Sequence, residues 1–195
     1  NKISIIYNGT DVNSFNFHPH YFDGILHFVT VARLTQEKGI QNSIKMLSTL
    51  PENIKWDYTV VGDGEYKEEL INITKKYSGD KITFLGNRDD VSEILDSKDV
   101  FLHLCDCNEG FGITIIEAMA KGKVCIVNNK GALPEIITNG VDGFVINNSD
   151  EGIQVIENIL TCREQWDEIM RNAGARARHF SINQYVKSLD EMLIN

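Results

Sequence analysis

Short apolar runs alternate along the chain with longer segments in which apolar residues recur every three or four positions. Runs bounded by Gly, Asn or Asp predict buried strands, and they cover 25–32, 56–61, 81–85, 100–104, 124–127 and 144–146. The spaced apolar positions between them predict helices with one buried face, for example Ile40, Ile44 and Leu47 after the first run. Strands that alternate with helices predict an α/β fold with a doubly wound, Rossmann-like parallel sheet.

The two ends of the chain differ from this alternating middle. Helical stretches with no strand between them follow the last run, at 153–160, 166–177 and 181–194. Residues 12–24 have no helical period, and residues 1–24 together predict a linker into a domain of residues 25–180, with residues 181–195 as a C-terminal helix. Because the chain begins without methionine and inside an apolar run, we expect a fragment of a longer protein.

The composition of the 195 residues is that of a soluble globular chain, with 42% hydrophobic and 24% charged residues. No run approaches the roughly 18 apolar residues that a membrane-spanning helix needs, and no signal peptide is visible. The net charge of −9 and the scattered basic residues disfavour a broad nucleic-acid or anionic-membrane surface. We therefore expect a cytoplasmic protein without a nucleic-acid partner.

Cysteine and histidine positions do not predict a metal site. The four cysteines contain no Cys-x-x-Cys pair, and we interpret them as reduced thiols. Cys105 and Cys107 allow a reactive or metal-binding pair, but burial as small apolar residues near a strand end is the favoured interpretation. His18 and His20 lie in a predicted loop without a carboxylate neighbour, which disfavours a metal there as well.

The strongest chemical signal follows the fourth run, where Glu109 and Glu117 lie eight positions apart at a predicted loop-to-helix junction. Gly110 and Gly112 allow a tight turn and the approach of a ligand to the backbone. The first amides of the following helix lack internal acceptors and favour an anion, whereas a carboxylate accepts hydrogen bonds from a sugar diol. The stretch therefore predicts a ligand with both phosphate and hydroxyl groups.

Two cations follow the first run. Arg33 and Lys38 lie five positions apart around the start of the next predicted helix. Arg33 offers a planar fork for phosphate oxygens and Lys38 a mobile point charge, a combination that suits a diphosphate. Taken alone, solvated surface charges are the favoured interpretation, because both residue types are usually exposed.

Weaker signals follow the second and third runs. Gly62 would allow a ligand to approach the backbone, but its Gly-x-Gly is not a dinucleotide fingerprint because Lys67 stands where the third glycine belongs. Asp63 is expected to shape the turn. Asn87 and Arg88 either line a pocket for a base or precede and cap the next helix.

In this order after successive strands, the motifs resemble the carboxyl-terminal, donor-binding domain of retaining glycosyltransferases of family four, which have the GT-B architecture. The resemblance covers nearly the whole chain, and the Glu-x7-Glu element is its most specific part. The positions that carry it are 8–11, Phe15, 32–34, 38–39, 61–64, 84–86, 109–112, 117–120, Gly122, Gly131, 134–135 and Gly143.

The resemblance implies a role for each matching position. Arg33 and Lys38 would contact the donor diphosphate. Glu109 would bind the hydroxyl groups of the donor sugar, and Glu117 the nucleotide ribose. The base would lie near Asn87 and Arg88. The other implied residues of the nucleotide-sugar site are Gly62, Gly110, Phe111, Gly112, Ile113 and Thr114. Transfer in this family retains the configuration and usually needs no metal or other cofactor, since the cations stabilise the departing diphosphate.

The resemblance also implies parts that this chain lacks. Family members carry an amino-terminal domain with a contributing histidine and the site for the acceptor, a glycan, lipid or small molecule. His103 lies in a predicted strand and is expected to be a satisfied core residue instead. Without that domain we expect donor binding but no turnover. The last helix would cross to that domain and expose part of its apolar face here, and any peripheral membrane attachment would come through the missing domain.

Three departures from the family pattern concern the donor sugar and the start of a strand. Residues 105–108 lack the small hydroxylated residue often found before the first glutamate, and residues 132–133 stand where a second glycine is common. Both departures leave the donor sugar open. Lys123 replaces a frequent proline and is expected to affect only the strand start.

Other functions compete with transfer. A GT-B sugar-nucleotide epimerase would also bind a diphosphate, but the Glu-x7-Glu pattern favours transfer. A non-catalytic nucleotide-binding or assembly module would have no reason to retain the two cations and the two glutamates. A dinucleotide oxidoreductase is disfavoured because its glycine fingerprint is missing.

Overall fold

A single parallel sheet of six strands forms in residues 5–18, 22–77 and 79–194, the part of the chain described by the structure, which is a computed structural model. The strands are β1 (Leu26–Val31), β2 (Trp56–Val61), β3 (Ile82–Gly86), β4 (Val100–His103), β5 (Val124–Asn128) and β6 (Phe144–Ile146). Their order is β3-β2-β1-β4-β5-β6, and every neighbouring pair is parallel. The predicted Rossmann-like α/β class is confirmed, and the predicted strand ends differ by at most one residue.

Helices cover both faces of this sheet. They are α1 (Ile40–Ser48), α2 (Lys67–Tyr77), α3 (Val91–Asp96), α4 (Ile113–Ala120), α5 (Leu133–Ile136), α6 (Ser149–Thr161), α7 (Arg163–Ala177) and α8 (Ile182–Ile194). Alternate residues of β1 enter two cores: Phe28 lies in the core with α1, α2 and α6, and Val29 lies in the core with α3, α4 and α5. The edge strand β3 instead alternates between half-buried and exposed residues. Strands buried on both faces need apolar residues at every position, which explains the continuous apolar runs.

The described part of the predicted linker, residues 5–18, packs on the domain. Val12–Ser14 forms a short 3-10 turn that the sequence pattern missed. Asp11 caps this turn by accepting hydrogen bonds from the Asn13 amide at 3.2 Å and from Ser14 Oγ at 2.6 Å. The amide of Thr10 donates to the Phe180 carbonyl at 2.9 Å, just before α8 begins. Residues 1–4 and 19–21, which include the predicted loop histidine His20, lie outside the described residues.

Lys123 holds the end of this packed segment. Its side chain is buried, with 1% of its surface exposed, and its ammonium donates to the His18 carbonyl at 2.8 Å. Burial lowers the pKa of Lys123 to about 8. The expectation that Lys123 affects only the start of β5 is therefore wrong, because this side chain also fastens residues 5–18 to the domain.

The last helix keeps part of its apolar face in contact with solvent, as predicted. Ile182, Val186 and Met192 are about half exposed, and Leu193 is 79% exposed. The helix begins beside the bridge between Thr10 and Ser181. Within the described residues, no helix is both long enough and apolar enough to cross a bilayer.

Candidate functional site

The sheet has one switch point, where β1 lies between β2 and β4. The chain runs outward from β1 to β3 on one side and then crosses to β4 on the other, so the carboxyl ends of β1 and β4 flank a crevice. Ligands of doubly wound folds bind in such a crevice. Two adjoining cavities open there, and both are lined by Val31, Ala32, Arg33 and Thr114.

The first cavity, named here the β4 cavity, has a volume of about 300 Å³. It extends from the end of β1 to the loop between β4 and α4. Most of the predicted donor-site residues line it: Arg33, Lys38, Glu109, Phe111, Gly112, Ile113 and Thr114. His103, which was expected to be a core residue, lines it as well. The structure therefore brings the two cations and the first glutamate of the motif into one wall.

The second cavity, named here the β2 cavity, has a volume of about 630 Å³ and lies towards the ends of β2 and β3. Its predicted residues are Arg33, Gly62, Asn87, Arg88 and Thr114. Arg33 is exposed between the two cavities, and the structure gives its guanidinium no acceptor among the described residues. This cation is accordingly available to an anion that spans both cavities.

Glu117 and Gly110 line neither of these cavities. Glu117 lies three residues after Thr114 and therefore on the same face of α4. Its carboxylate is half-buried, has no hydrogen-bond or ion-pair partner in the described part of the chain, and has its pKa raised by that burial. An unpaired carboxylate on the same face of α4 as Thr114 remains able to accept hydrogen bonds from a ligand.

Glu109 is the centre of a polar cluster in the β4 cavity. Its Oε2 atom lies 3.1 Å from His103 Nε2 and 2.7 Å from Lys38 Nζ. The hydrogen bonds from His103 and then from Lys38 outweigh burial and lower the pKa of Glu109 to about 2. The side chain is thus ionised at physiological pH and acts only as an acceptor.

Lys38 is bound to this carboxylate and is not a solvated surface charge. Only about a quarter of its side chain is exposed. Burial acts to lower the pKa of Lys38, but the hydrogen bond and the charge of Glu109 raise it overall. The sequence motifs imply that Lys38 and Glu109 contact different parts of a ligand, and they do not predict this direct contact.

The loop before α4 turns at one glycine. Gly112 precedes the helix with φ +76°, a left-handed conformation that favours glycine, and a Cβ atom there would lie 2.8 Å from Ile115 Cδ1. Gly110 has no left-handed φ, and a Cβ atom there would meet no atom of the described residues within 4 Å. Both glycines were predicted to allow a tight turn, and only Gly112 uses the conformational freedom of glycine to make it.

Replacing Gly112 with alanine is expected to lower the free energy of unfolding by about 1 kcal/mol, because a Cβ atom disfavours left-handed backbone. Gly110→Ala is the matched control two residues earlier and is expected to change stability by less than about 0.5 kcal/mol. Urea denaturation of the two variants measures both values. Equal losses would contradict the distinction.

Gly62 is required by the sheet itself. A Cβ atom at this position would overlap the carbonyl oxygen of Ala32, and the residue has φ +128°. The predicted reason, the approach of a ligand, is therefore not needed to explain the glycine, although its backbone does line the β2 cavity. Asp63 shapes the turn as predicted, since it accepts from the Gly64 amide at 2.8 Å and from Lys67 Nζ at 3.0 Å.

Asn87 and Arg88 lie in a cavity wall, and their contact with a base stays a prediction. They line the β2 cavity, and Arg88 also pairs with Asp90, the residue before α3, through a 2.7 Å bond from Nε and a second bond from Nη2. The hydrogen bond from Arg88 lowers the pKa of Asp90. Asn87 has no such contact with any described residue and is exposed at the cavity wall.

One group in the described residues has the spacing of a metal site. Ligand atoms of His103, Cys105 and Glu109 all lie within 4.8 Å of one another. Glu109 is already bound to the Lys38 ammonium, and burial, the largest cause, raises the pKa of the Cys105 thiol to about 11. The donor set therefore fits a hydrogen-bonded cluster with lysine as its cation better than a metal centre. Cys105 is buried, as predicted, and Cys107 is half-buried.

The fold and the crevice together define a class of protein: a Rossmann-like domain whose switch point carries two cations, an ionised carboxylate and a helix start. A model of the glycosyl transferases group 1 family matches residues 22–179 of this chain. The chain belongs to that family, which confirms the resemblance inferred from the sequence motifs.

Curated relatives cover most of this chain. The O-antigen biosynthesis glycosyltransferase WclY of Escherichia coli is 33% identical over an alignment of 165 residues, which covers 80% of this chain and 45% of the relative. An E. coli UDP-Gal:alpha-D-GlcNAc-diphosphoundecaprenol alpha-1,3-galactosyltransferase is 28% identical over an alignment of 223 residues, which covers 98% of this chain and 53% of the relative. The N-acetyl-alpha-D-glucosaminyl L-malate synthase of Bacillus anthracis is 27% identical over an alignment of 164 residues, which covers 80% of this chain and 41% of the relative. The chain spans about half the length of these relatives.

Solved structures share the fold. Anabaena Alr3699/HepE in complex with UDP-glucose has a TM-score of 0.86 and 26% identity, with 97% of this chain and 57% of that chain covered. The C-terminal domain of a glycosyl transferase group 1 family protein (LpcC) from Francisella tularensis has a TM-score of 0.73 and 23% identity, with 89% of this chain and 100% of that chain covered.

Proposed function

We propose that this chain is the donor-binding domain of a retaining glycosyltransferase that transfers a hexosyl group from a nucleotide-diphosphate sugar. The observation that carries the proposal is the convergence of Arg33, Lys38 and Glu109 with the start of α4 on one crevice at the switch point. The Anabaena relative, solved with UDP-glucose, supports a ligand of this chemical class.

The proposed chemistry is stabilisation of a departing diphosphate. When the bond between the anomeric carbon and the phosphate oxygen breaks, negative charge grows on the diphosphate. Arg33 and Lys38 oppose that charge, and the first amides of α4 add donors at the same place. These groups supply positive charge from the chain itself, so we propose that no metal ion is needed.

The two glutamates are proposed to hold the ends of the donor. Glu109 remains ionised at physiological pH and accepts hydrogen bonds from sugar hydroxyls, which excludes it as a general acid there. Glu117, unpaired among the described residues, accepts from the ribose. The wall that contains Asn87 and Arg88 adjoins the base.

The acceptor is proposed to bind between this domain and an amino-terminal domain outside the chain. The chain spans about half of its curated relatives, and α8 leaves an apolar face exposed for such a neighbour. The names of two relatives refer to O-antigen biosynthesis and to a diphosphoundecaprenol-linked sugar. A glycan or lipid-linked acceptor in polysaccharide biosynthesis is therefore the proposed class.

A thermal-unfolding panel with UDP, GDP and ADP tests the proposal. Ligand at about 100 times its Kd stabilises the folded state by roughly 2.7 kcal/mol, so one base should raise the unfolding midpoint by several degrees. Inorganic pyrophosphate and the matching nucleoside are the controls, and each should raise it less than the nucleoside diphosphate. If no nucleoside diphosphate raises the midpoint above the pyrophosphate control, the donor site is refuted.

A further inference from the structure

His103 is built into the sheet directly behind Glu109. It is the last residue of β4, pairs in register with Val127 of β5, and has 3% of its surface exposed. Its Nε2 atom lies 3.1 Å from Glu109 Oε2. Glu109 itself lies in a loop, so the imidazole joins a loop carboxylate to the most rigid part of the fold.

The two oxygens of Glu109 have different surroundings. Oε2 receives hydrogen bonds from His103 and Lys38, whereas Oε1 receives only the Gly110 amide, at 3.2 Å, in the described part of the chain. A carboxylate oxygen has about two acceptor positions. Oε2 is therefore saturated as long as Lys38 stays on it, whereas Oε1 has a position left for a ligand hydroxyl.

Lys38 and His103 differ in what happens when a donor binds. The proposed diphosphate competes with Glu109 for the Lys38 ammonium, which sits on a flexible stem. The imidazole of His103 is held by β4 and has no comparable freedom. Among the described residues, His103 is then the side chain that keeps its hydrogen bond to Oε2 once Lys38 turns to phosphate.

The other imidazole nitrogen supports a role beyond packing. Nδ1 of His103 is buried and has no hydrogen-bond partner in the described residues. A histidine kept only as a satisfied core residue would have both nitrogens paired. An ionised carboxylate can only accept, so the proton of the contact lies on Nε2. Within the described residues, the contact with Glu109 is the only hydrogen bond of this side chain.

We propose that His103 is a positioning residue that fixes Glu109 so that Oε1 faces the hexose of the donor. The inference rests on the proposed function. It goes beyond that function because it assigns discrimination between a nucleoside diphosphate and its sugar form to a residue of β4. His103 acts through Glu109 and need not touch the ligand.

The test compares the affinity for UDP with that for UDP-glucose, measured by calorimetry on the wild-type chain and its variants. His103→Leu removes the hydrogen bond from Nε2 to Glu109. It is expected to lower the ratio of UDP-glucose affinity to UDP affinity about 10-fold, with the UDP affinity nearly unchanged. His103→Gln places an amide nitrogen near the Nε2 position and is expected to restore most of the ratio. His27→Leu is the control, because His27 lies near the start of β1, whereas the crevice lies at the carboxyl end of that strand. It should leave the affinity ratio unchanged.

A second measurement does not depend on the ligand. Carbon-13 NMR titration of the Glu109 carboxyl is expected to show a pKa higher by at least about 1 in His103→Leu and near the wild-type value in His103→Gln. An unchanged Glu109 pKa in His103→Leu, or an unchanged affinity ratio with UDP binding intact, overturns the positioning role. If the wild-type chain binds GDP or ADP instead of UDP, that diphosphate and its sugar form replace UDP and UDP-glucose in the test. If it binds none of the three, the proposed function fails, and the part of the inference that concerns the sugar fails with it.

Discussion

Arg33→Ala is expected to weaken UDP binding by about 10- to 100-fold, which corresponds to the loss of one or two charge-assisted hydrogen bonds to phosphate. The guanidinium is exposed between the β4 and β2 cavities and has no acceptor among the described residues. Its removal should therefore leave the free energy of unfolding nearly unchanged. Calorimetric titration with UDP measures the loss.

Three comparisons make the Arg33 result specific. Arg33→Lys keeps the charge but loses the planar fork, so its affinity should lie between those of wild type and Arg33→Ala. Binding of uridine, which has no phosphate, should not change in either variant. Arg171→Ala, on the exposed side of α7, is the matched arginine control. UDP affinity that is equal in wild type and Arg33→Ala would refute the diphosphate assignment.

The two glutamates of the motif are expected to affect stability in opposite directions. Glu109→Gln should lower the free energy of unfolding by about 2 kcal/mol at pH 7, because it removes an ionised partner from Lys38 and His103. Glu117→Gln should raise it modestly at pH 7, because it relieves a half-buried carboxylate that has no partner in the described residues.

Their pH dependence follows from the direction of each pKa. Glu109 has a folded pKa of about 2, below its ordinary 4.5, so its stabilisation is complete above pH 4.5 and is lost as the pH falls towards 2. The pKa of Glu117 is raised, so ionisation costs stability as the pH rises through its titration. As the pH falls from 6 to 3.5, the loss of unfolding free energy in Glu109→Gln should become smaller. The gain of unfolding free energy in Glu117→Gln should become smaller over the same range.

Denaturant unfolding at pH 6, 5 and 3.5 measures both differences against wild type. Glu135→Gln is the control, since Glu135 is an exposed residue of α5 whose Oε2 accepts a 3.0 Å hydrogen bond from the Tyr7 hydroxyl. If Glu109→Gln and Glu117→Gln change the free energy of unfolding in the same direction at pH 6, the two carboxylates do not have the distinct environments described.

Much of this architecture could be predicted from the sequence because its signals are local. The run at 56–61 predicted β2 without error, since a buried parallel strand is apolar along its whole length. Arg33, Lys38 and Glu109 could be predicted to approach one another because each follows a parallel strand. The carboxyl ends of such strands lie at one edge of the sheet.

The missed features depend on contacts between distant parts of the chain. Lys38 and Glu109 are 71 positions apart, and their 2.7 Å contact has no signature in the spacing of either motif. In the sequence His103 is an ordinary strand residue, and only the fold of the following loop brings Glu109 within 3.1 Å of its imidazole. Lys123 is a polar residue in a core, and only the carbonyl of His18, 105 positions away, explains its burial.

The contact between Lys123 and His18 has an uneven consequence for sequence change. The ammonium binds a main-chain carbonyl, which every amino acid possesses, so residue 18 can vary without loss of this fastening. The residue at position 123 has no such latitude, because a shorter side chain or one without a donor would leave that carbonyl unbound. In related chains that keep this arrangement, drift should accumulate at position 18 while position 123 stays a lysine.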